Sequence, residues 1–168
     1  MIFIKVGTGI GAGLISGGRL HRGAQGVAGD VGHVAVVDDA TVVCRCGNVG
    51  CLEAVAGGAA LAGAAANMAA AGDPAARSLL TESGRRVGQM LATLVNFYNP
   101  SLIVIGGGVA DAGESYLDTI RQVVFARSLA LATHDLRIVR TALRGTVGLR
   151  GAAAVVIDEL FSHGRIGR

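Results

Sequence analysis

The sequence predicts one α/β domain, and three stretches carry that expectation. Met1 to Val6 is apolar apart from Lys5 and rich in β-branched residues, the composition of a core strand. Leu102-Ile103-Val104-Ile105 is an apolar run bounded by Pro100 and by Gly106-Gly107-Gly108, which reads as a fully buried parallel strand with a turn at its C-terminal end. Between them, from Glu53 onward, the hydrophobic period changes from that of a strand to that of a helix. With 168 residues and 51% hydrophobic content the chain has material for one substantial core. Its 27 glycines follow no collagen period and come with only 2 prolines, so they indicate turns and close helix packing, not disorder.

Taken in order, Gly7-Thr8-Gly9-Ile10-Gly11-Ala12-Gly13 is expected to turn the chain after the first strand. Leu14-Ile15-Ser16 continues as a second strand, and Gly17-Gly18 supplies the positive φ of a hairpin. Leu20 to Gly32 reads as an irregular but ordered loop. Val34 to Val37 reads as a short strand, Asp38-Asp39 as a turn, and Thr41-Val42-Val43 as the strand that delivers Cys44. The Ala-, Gly- and Leu-rich run from Val55 to Ala71 predicts one or two helices ending at Gly72. Asp73 as N-cap and Pro74 at the first helical position then open a longer helix, which Asn99-Pro100 stops after Tyr98. Its Leu80, Val87, Met90, Leu91, Leu94, Val95 and Tyr98 recur at three- and four-residue steps, a stripe for a core or for a partner subunit. A helix over residues 113–126 follows the second glycine run, and Leu136 to Arg140 alternates like an edge strand. The last helix, over residues 149–161, is expected to turn Ala152, Val155, Val156 and Leu160 inward, and the tail from Gly164 to fray.

All 3 cysteines fall in one short stretch, as Cys44-x-Cys46-x4-Cys51, with His33 upstream. Three thiolates and one imidazole complete a tetrahedral zinc shell, and glycine-containing spacers let the backbone turn so that the ligands converge. The predicted metal ligands are therefore His33, Cys44, Cys46 and Cys51. A shell closed by four protein ligands leaves no position for water, so the zinc is expected to be structural. The alternative is three buried, inert cysteines and a satisfied histidine, although Arg45, Asn48 and the intervening glycines are poor core material.

The first glycine run admits two readings. Backbone without Cβ atoms can approach a phosphate closely, and Thr8 adds a hydroxyl; a plain glycine hairpin has the same turn chemistry. The spacing is not that of a Walker A loop and no Lys follows, so P-loop chemistry is excluded. Gly106-Gly107-Gly108 likewise serves either a ligand at a strand's carboxyl end or a tight strand-to-helix turn, and it is not a Rossmann fingerprint.

Cys-x-Cys-Gly-x-x-Gly-Cys-x-Glu, preceded by Ala-Gly-Asp-x-Gly-His and by Gly-Thr-Gly-Ile-Gly-Ala-Gly, resembles the ROK family of bacterial sugar kinases, sugar-responsive transcriptional repressors and related open reading frames. The resemblance spans essentially the whole chain but only the C-terminal half of a typical member. It implies an actin-like ATPase fold of the ribonuclease H-like class, as a single C-terminal sugar- and nucleotide-binding domain with an inserted zinc loop at residues 33–53 and the N-terminal half absent. It implies nucleotide contacts at Gly7, Thr8 and Gly9, with Thr8 near the β- and γ-phosphates, and at Gly106, Gly107 and Gly108. It also implies sugar-hydroxyl contacts at Asp30, His33 and Glu53, His33 serving the zinc as well. Asp30 stands where the family more often has Glu, which shortens its reach by one methylene. On the residues alone, the alternative for Asp30 is a loop carboxylate capping backbone N–H groups, and for Glu53 an acidic residue in the first turn of a helix.

Two functions follow from the resemblance. The first is the sugar-sensing, zinc-stabilised half of a transcriptional regulator that reaches DNA only through a missing N-terminal domain. Asp30 and the Phe-Ile-Lys-Val lead into the glycine run tilt toward it. The alternative is the C-terminal half of a glucokinase-like sugar kinase using ATP and Mg2+. In the family the catalytic Asp and the first phosphate loop precede everything here, so these residues alone are expected to carry no kinase activity. A third possibility is an interaction protein in which zinc only holds a homo-oligomer together.

The net charge of +3 comes from scattered arginines without interleaved aromatics, which argues against direct nucleic-acid binding. No signal peptide and no apolar run of membrane-spanning length appears. A cytoplasmic location is expected, where clustered cysteines read as metal ligands and not as disulfides. An exposed apolar strand at the very start makes a fragment of a longer protein the expected origin of the chain.

Overall fold

The computed structural model describes residues 1–61, 74–143 and 145–161. Asp73, the expected N-cap, and most of the expected helix between Val55 and Ala71 lie outside the described residues.

Five strands form one mixed sheet in the order β3-β2-β1-β4-β5. These are β1 (Ile2–Val6), β2 (Ile10–Ser16), β3 (Arg19–His21), β4 (Leu102–Gly106) and β5 (Arg137–Arg140). β1 to β3 form an antiparallel meander, whereas β4 pairs in parallel with both β1 and β5. β1 therefore lies at the centre, with Ile2 facing Leu14 on one side and Ile103 on the other. Its alternation follows the two-residue period of a strand: Ile2, Ile4 and Val6 are fully buried on one face, and Phe3 and Lys5 point to the other.

The buried face is covered by two helices, α3 (Pro74–Tyr98) and α4 (Glu114–Arg127), preceded by the short α1 (Leu52–Ala56) and α2 (Gly58–Leu61). Val87, Met90, Leu91 and Val95 of α3 join Leu117, Ile120 and Val124 of α4 and the β1 and β4 isoleucines in one core cluster. The α3 stripe is thus spent on the core of its own domain and is not free for a partner subunit. Asn99 takes a left-handed conformation (φ 47) and ends α3 as expected. Two α3 glycines let the helices approach: a Cβ on Gly88 would lie 2.8 Å from Val123 Cβ, and one on Gly84 3.3 Å from Thr119 Cβ. Ser83, buried between them, donates to the Ala56 carbonyl (2.9 Å) and meets the Tyr116 hydroxyl (3.2 Å). Burial pushes that tyrosine hydroxyl up to about 12.

The structure corrects four expectations. The glycine run is not all turn: Gly7-Thr8-Gly9 is the turn, while Gly11 and Gly13 pair with Lys5 and Phe3 inside β2. Leu20 and His21 belong to β3, where they pair with Ile15 and Leu14. Val34–Val37 and Thr41–Val43 are not strands, and they supply only isolated bridges from Ala35 to Cys51 and from Val43 to Val49. Their β-branched composition is overridden because the segment folds back on itself, with Val36 and Val37 donating to the Gly50 carbonyl and Gly50 to that of Val42. Finally, no residue of α6 (Val147–Phe161) is buried, Val155, Val156 and Leu160 included. Apolar residues occur around most of the helix, between Arg150, Asp158 and Glu159, so their period does not select an inner face. Before it, α5 (Ala130–Thr133) is a single turn leading to β5.

The α3–α4 contact yields a test. Gly88→Ala gains about 1 kcal/mol of helix propensity but forces Val123 outward, at about 1–3 kcal/mol of overpacking. Net destabilisation is expected, read as a lower urea midpoint at unchanged m-value; a midpoint equal to or above the wild-type value refutes the tight contact.

Candidate functional site

The return loop after β3 sets the site. Gly29 has φ +97 and packs its Cα against the Ala12 carbonyl of β2, an approach that a side chain would block. Ala12 donates to the Gly29 carbonyl at 2.7 Å, so Asp30 and the short 3-10 helix Val31–His33 are pinned beside the sheet. The Cys loop is closed by its own backbone, with Cys44 N–H to Asn48 carbonyl (2.8 Å) and Gly47 N–H to Cys44 carbonyl (2.9 Å). Gly50, at φ +73, presses against the Val37 carbonyl and brings Cys51 to the start of α1. Arg86 of α3 reaches the Val36 carbonyl at 3.4 Å and joins this loop to the helical layer.

The structure brings all four predicted metal ligands together: one donor atom from each of His33, Cys44, Cys46 and Cys51 lies within 4.8 Å of the others. Cys44 Sγ is 3.6 Å from His33 Nδ1, and Cys46 Sγ is 3.8 Å from Cys51 Sγ. A tetrahedral zinc with ordinary bond lengths places two sulfurs about 3.8 Å apart, and sulfur and nitrogen about 3.6 Å apart. The donor set and its spacing therefore fit that ion. The sulfurs are also too far apart for a disulfide, and all three cysteines are free. Contact with Cys44 raises the His33 pKa above its ordinary value. The Asn48 N–H lowers that of Cys46, whereas burial pushes Cys51 up to about 12.

Glu53, in the first turn of α1, is one of two buried polar residues among the described residues, at 8% exposure. One carboxylate oxygen accepts the Ile10 N–H (3.0 Å) and the other accepts Arg45 Nη2 (2.7 Å). The first oxygen lies 2.6 Å from where a Gly9 Cβ would stand and 3.5 Å from where a Gly32 Cβ would stand. Glu53 is thereby wedged between the Gly7–Gly9 turn and the backbone beside His33. Arg45 and the Ile10 N–H hold its carboxyl below the ordinary range, against the opposing effect of burial. Asp30 is exposed and makes no side-chain cap to the 3-10 helix, so the capping alternative is not realised; its charge raises the His33 pKa.

The two glycine runs meet at the C-terminal ends of the parallel strands β1 and β4. Val109 N–H donates to the Val6 carbonyl (3.1 Å), and Gly107, at φ +97, packs its Cα on the same carbonyl. Gly58 N–H donates to the Gly7 carbonyl (2.5 Å) and Ala59 N–H to that of Thr8 (3.4 Å), so the start of α2 braces the turn. The residue that sequence reasoning missed is Arg45. Its signal is a cation inside Cys-x-Cys, eight residues before a carboxylate.

The family profile described as ROK family matches residues 1–159. The chain belongs to the ROK family. It is 32% identical over 96% of its length to the xylose repressor of Caldicellulosiruptor bescii, covering 47% of that protein. It is 36% identical over 95% of its length to an N-acetylmannosamine kinase of Escherichia coli O7:K1, covering 57% of it. Among solved structures it resembles the ROK glucokinase of Streptomyces griseus in complex with glucose and AMPPNP, with a TM-score of 0.75 and 34% identity, over 92% of this chain and 59% of that one. The chain thus spans about half the length of the curated ROK relatives it matches. The mixed α/β sheet is that of ROK sugar kinases, with the actin-like ATPase fold. Among the described residues no helix is long and apolar enough to cross a membrane.

A carboxyl held below its unfolded-state pKa of 4.5 adds stability above that pH and loses it as pH falls through the folded value. Glu53→Gln keeps an acceptor for Ile10 but removes the titration. Wild type is therefore expected to lose more melting temperature than this variant between pH 7 and pH 4. Glu53→Ala leaves the buried Ile10 N–H unpaired, at about 1–3 kcal/mol. Parallel acid profiles for wild type and Glu53→Gln contradict the assignment.

Proposed function

We propose that these residues form the sugar-sensing half of a ROK transcriptional regulator, stabilised by a structural zinc on His33, Cys44, Cys46 and Cys51. The observation that carries this reading is the buried Glu53 carboxylate, fixed to the Cys loop through Arg45 and packed against the Gly32 backbone next to His33. Zinc bound there would supply folding energy and fix the loop; three thiolates and one imidazole close its shell, so it offers no site for water. Glu53 then accepts sugar hydroxyls, Asp30 accepts at the exposed rim, and the edge of His33 away from the metal contacts a further hydroxyl. The half-buried setting strengthens each hydrogen bond relative to water. In this reading the protein acts in the cytoplasm as a homo-oligomer, and DNA is contacted by an element outside the 168 residues.

A second reading, half of an ATP-dependent sugar kinase, is favoured by one observation: Gly7-Thr8-Gly9 and Gly106-Gly107-Gly108 lie side by side, as two loops around a nucleotide would. Similarity to both a repressor and kinases accords with a sugar-related function in either case.

Metal analysis and thermal shift on the purified protein test the reading. Stoichiometric zinc is expected, with a fall in melting temperature on chelation and easier zinc loss on acidification, because protons compete for His33 and the thiolates. Hexoses or N-acetylhexosamines are expected to raise the melting temperature, about 2.7 kcal/mol of stabilisation at one hundred times Kd. A chelated protein with an unchanged melting temperature refutes the zinc site. Stabilisation by ATP moves the assignment to the kinase half.

A further inference from the structure

The Cys loop presents its three thiols unequally. Cys44 and Cys51 are buried, whereas Cys46 is exposed, within a run from Arg45 to Val49 in which every residue is exposed. A Cβ on Gly47, the next residue, would meet nothing within 4 Å, so the turn is open on that side. Cys46 Sγ nevertheless lies 3.8 Å from Cys51 Sγ, while Cys44 Sγ faces His33 Nδ1 at 3.6 Å. One reachable sulfur with a second, buried sulfur behind it is the arrangement of an attacked and a resolving cysteine.

We infer that Cys46 is an oxidation site for hydrogen peroxide, and that its oxidation forms a disulfide with Cys51 and releases the zinc. The Cys46 thiolate attacks one peroxide oxygen; the O–O bond breaks, hydroxide leaves, and Cys46 becomes a sulfenic acid. The Cys51 thiolate then attacks the sulfenic sulfur; the S–O bond breaks and a second hydroxide leaves. Two thiolates are thus oxidised to one disulfide while one peroxide is reduced. Zinc is held by thiolate sulfur, so after this step only His33 and Cys44 remain as ligands and the ion is lost. Arg45 lies between two of the ligands and holds Glu53 at 2.7 Å, so a change in the turn reaches the buried carboxylate. The inference rests on the zinc assigned in the proposed function, and not on the sugar or nucleotide contacts.

Hydrogen peroxide added to the zinc-loaded protein tests it, with a metallochromic indicator for released zinc, a sulfenic-acid trap in a parallel sample, and peptide mapping of both. Stoichiometric zinc release is expected, with a crosslinked Cys46–Cys51 peptide as the product and the trap found first on Cys46. A thiol reductant with added zinc should reverse both changes. Cys46→Ser is expected to slow zinc release at least about tenfold, because the two remaining thiols are buried. If that variant does not hold zinc, the trap and the mapping on the wild type decide. A trap found first on Cys44 or Cys51, a product without the Cys46–Cys51 disulfide, or zinc retained after oxidation overturns the inference while the zinc site stands. A reduced protein that takes up no zinc overturns the zinc site and the inference together.

Discussion

The structure turns on the carboxylate of Glu53. It is the point where three segments remote in sequence touch: the Gly7–Gly9 turn through Ile10 N–H, the Cys loop through Arg45, and the return loop through the backbone of Gly32. A buried carboxylate is stable only when its oxygens are paired. Burial and pairing therefore constrain one another, and a change in any of the three segments is felt by the others. Gly9 belongs to the same constraint, since the carboxylate occupies the volume that its side chain would need.

The rest of the fold keeps that point in place. The central β1 puts Val6 and Gly7 at the carboxyl ends of two parallel strands, and Val109 and Gly58 clamp the turn from both sides. Ser83 fixes the end of α1 against α3, and so sets the start of α1 from which Glu53 projects. The close α3–α4 contact at Gly84 and Gly88 brings Tyr116 near enough to complete that link.

Local signals in the sequence are legible where they determine structure without help from distant residues. Pro74 and Asn99 bound α3, the apolar runs at residues 2–6 and 102–105 are strands, and the cysteine spacing with His33 forms one cluster. Signals that need a neighbour are not. Val34–Val37 has strand composition but no strand to pair with, and Gly11 and Gly13 sit in β2 because β1 offers a continuous ladder on which they pair. The apolar surface of α6 says what the helix can bury and nothing about against what. Arg45 was legible only as loop polarity, because its partner is set by how the Cys loop folds back over α1.

A sensor and a kinase that bind one sugar at one site differ in when the binding energy appears. A kinase needs interactions that strengthen at the transition state, whereas a regulator needs a ligand that binds one of two conformations better than the other. Under the proposed function, the Glu53 junction would serve the second demand. Each of its oxygens accepts one bond, from the Ile10 N–H or from Arg45, and keeps a further lone pair, so a hydroxyl that enters either adds to the junction or displaces one of those bonds. Displacing Arg45, whose side chain is 72% exposed, costs little because water can take the guanidinium. Displacing the Ile10 N–H leaves a buried donor unpaired and costs more. A sugar that displaces a bond at Glu53 is thus expected to release the Cys loop and leave the glycine turn fixed. That asymmetry would give a bound sugar a mechanical effect on one side of the site.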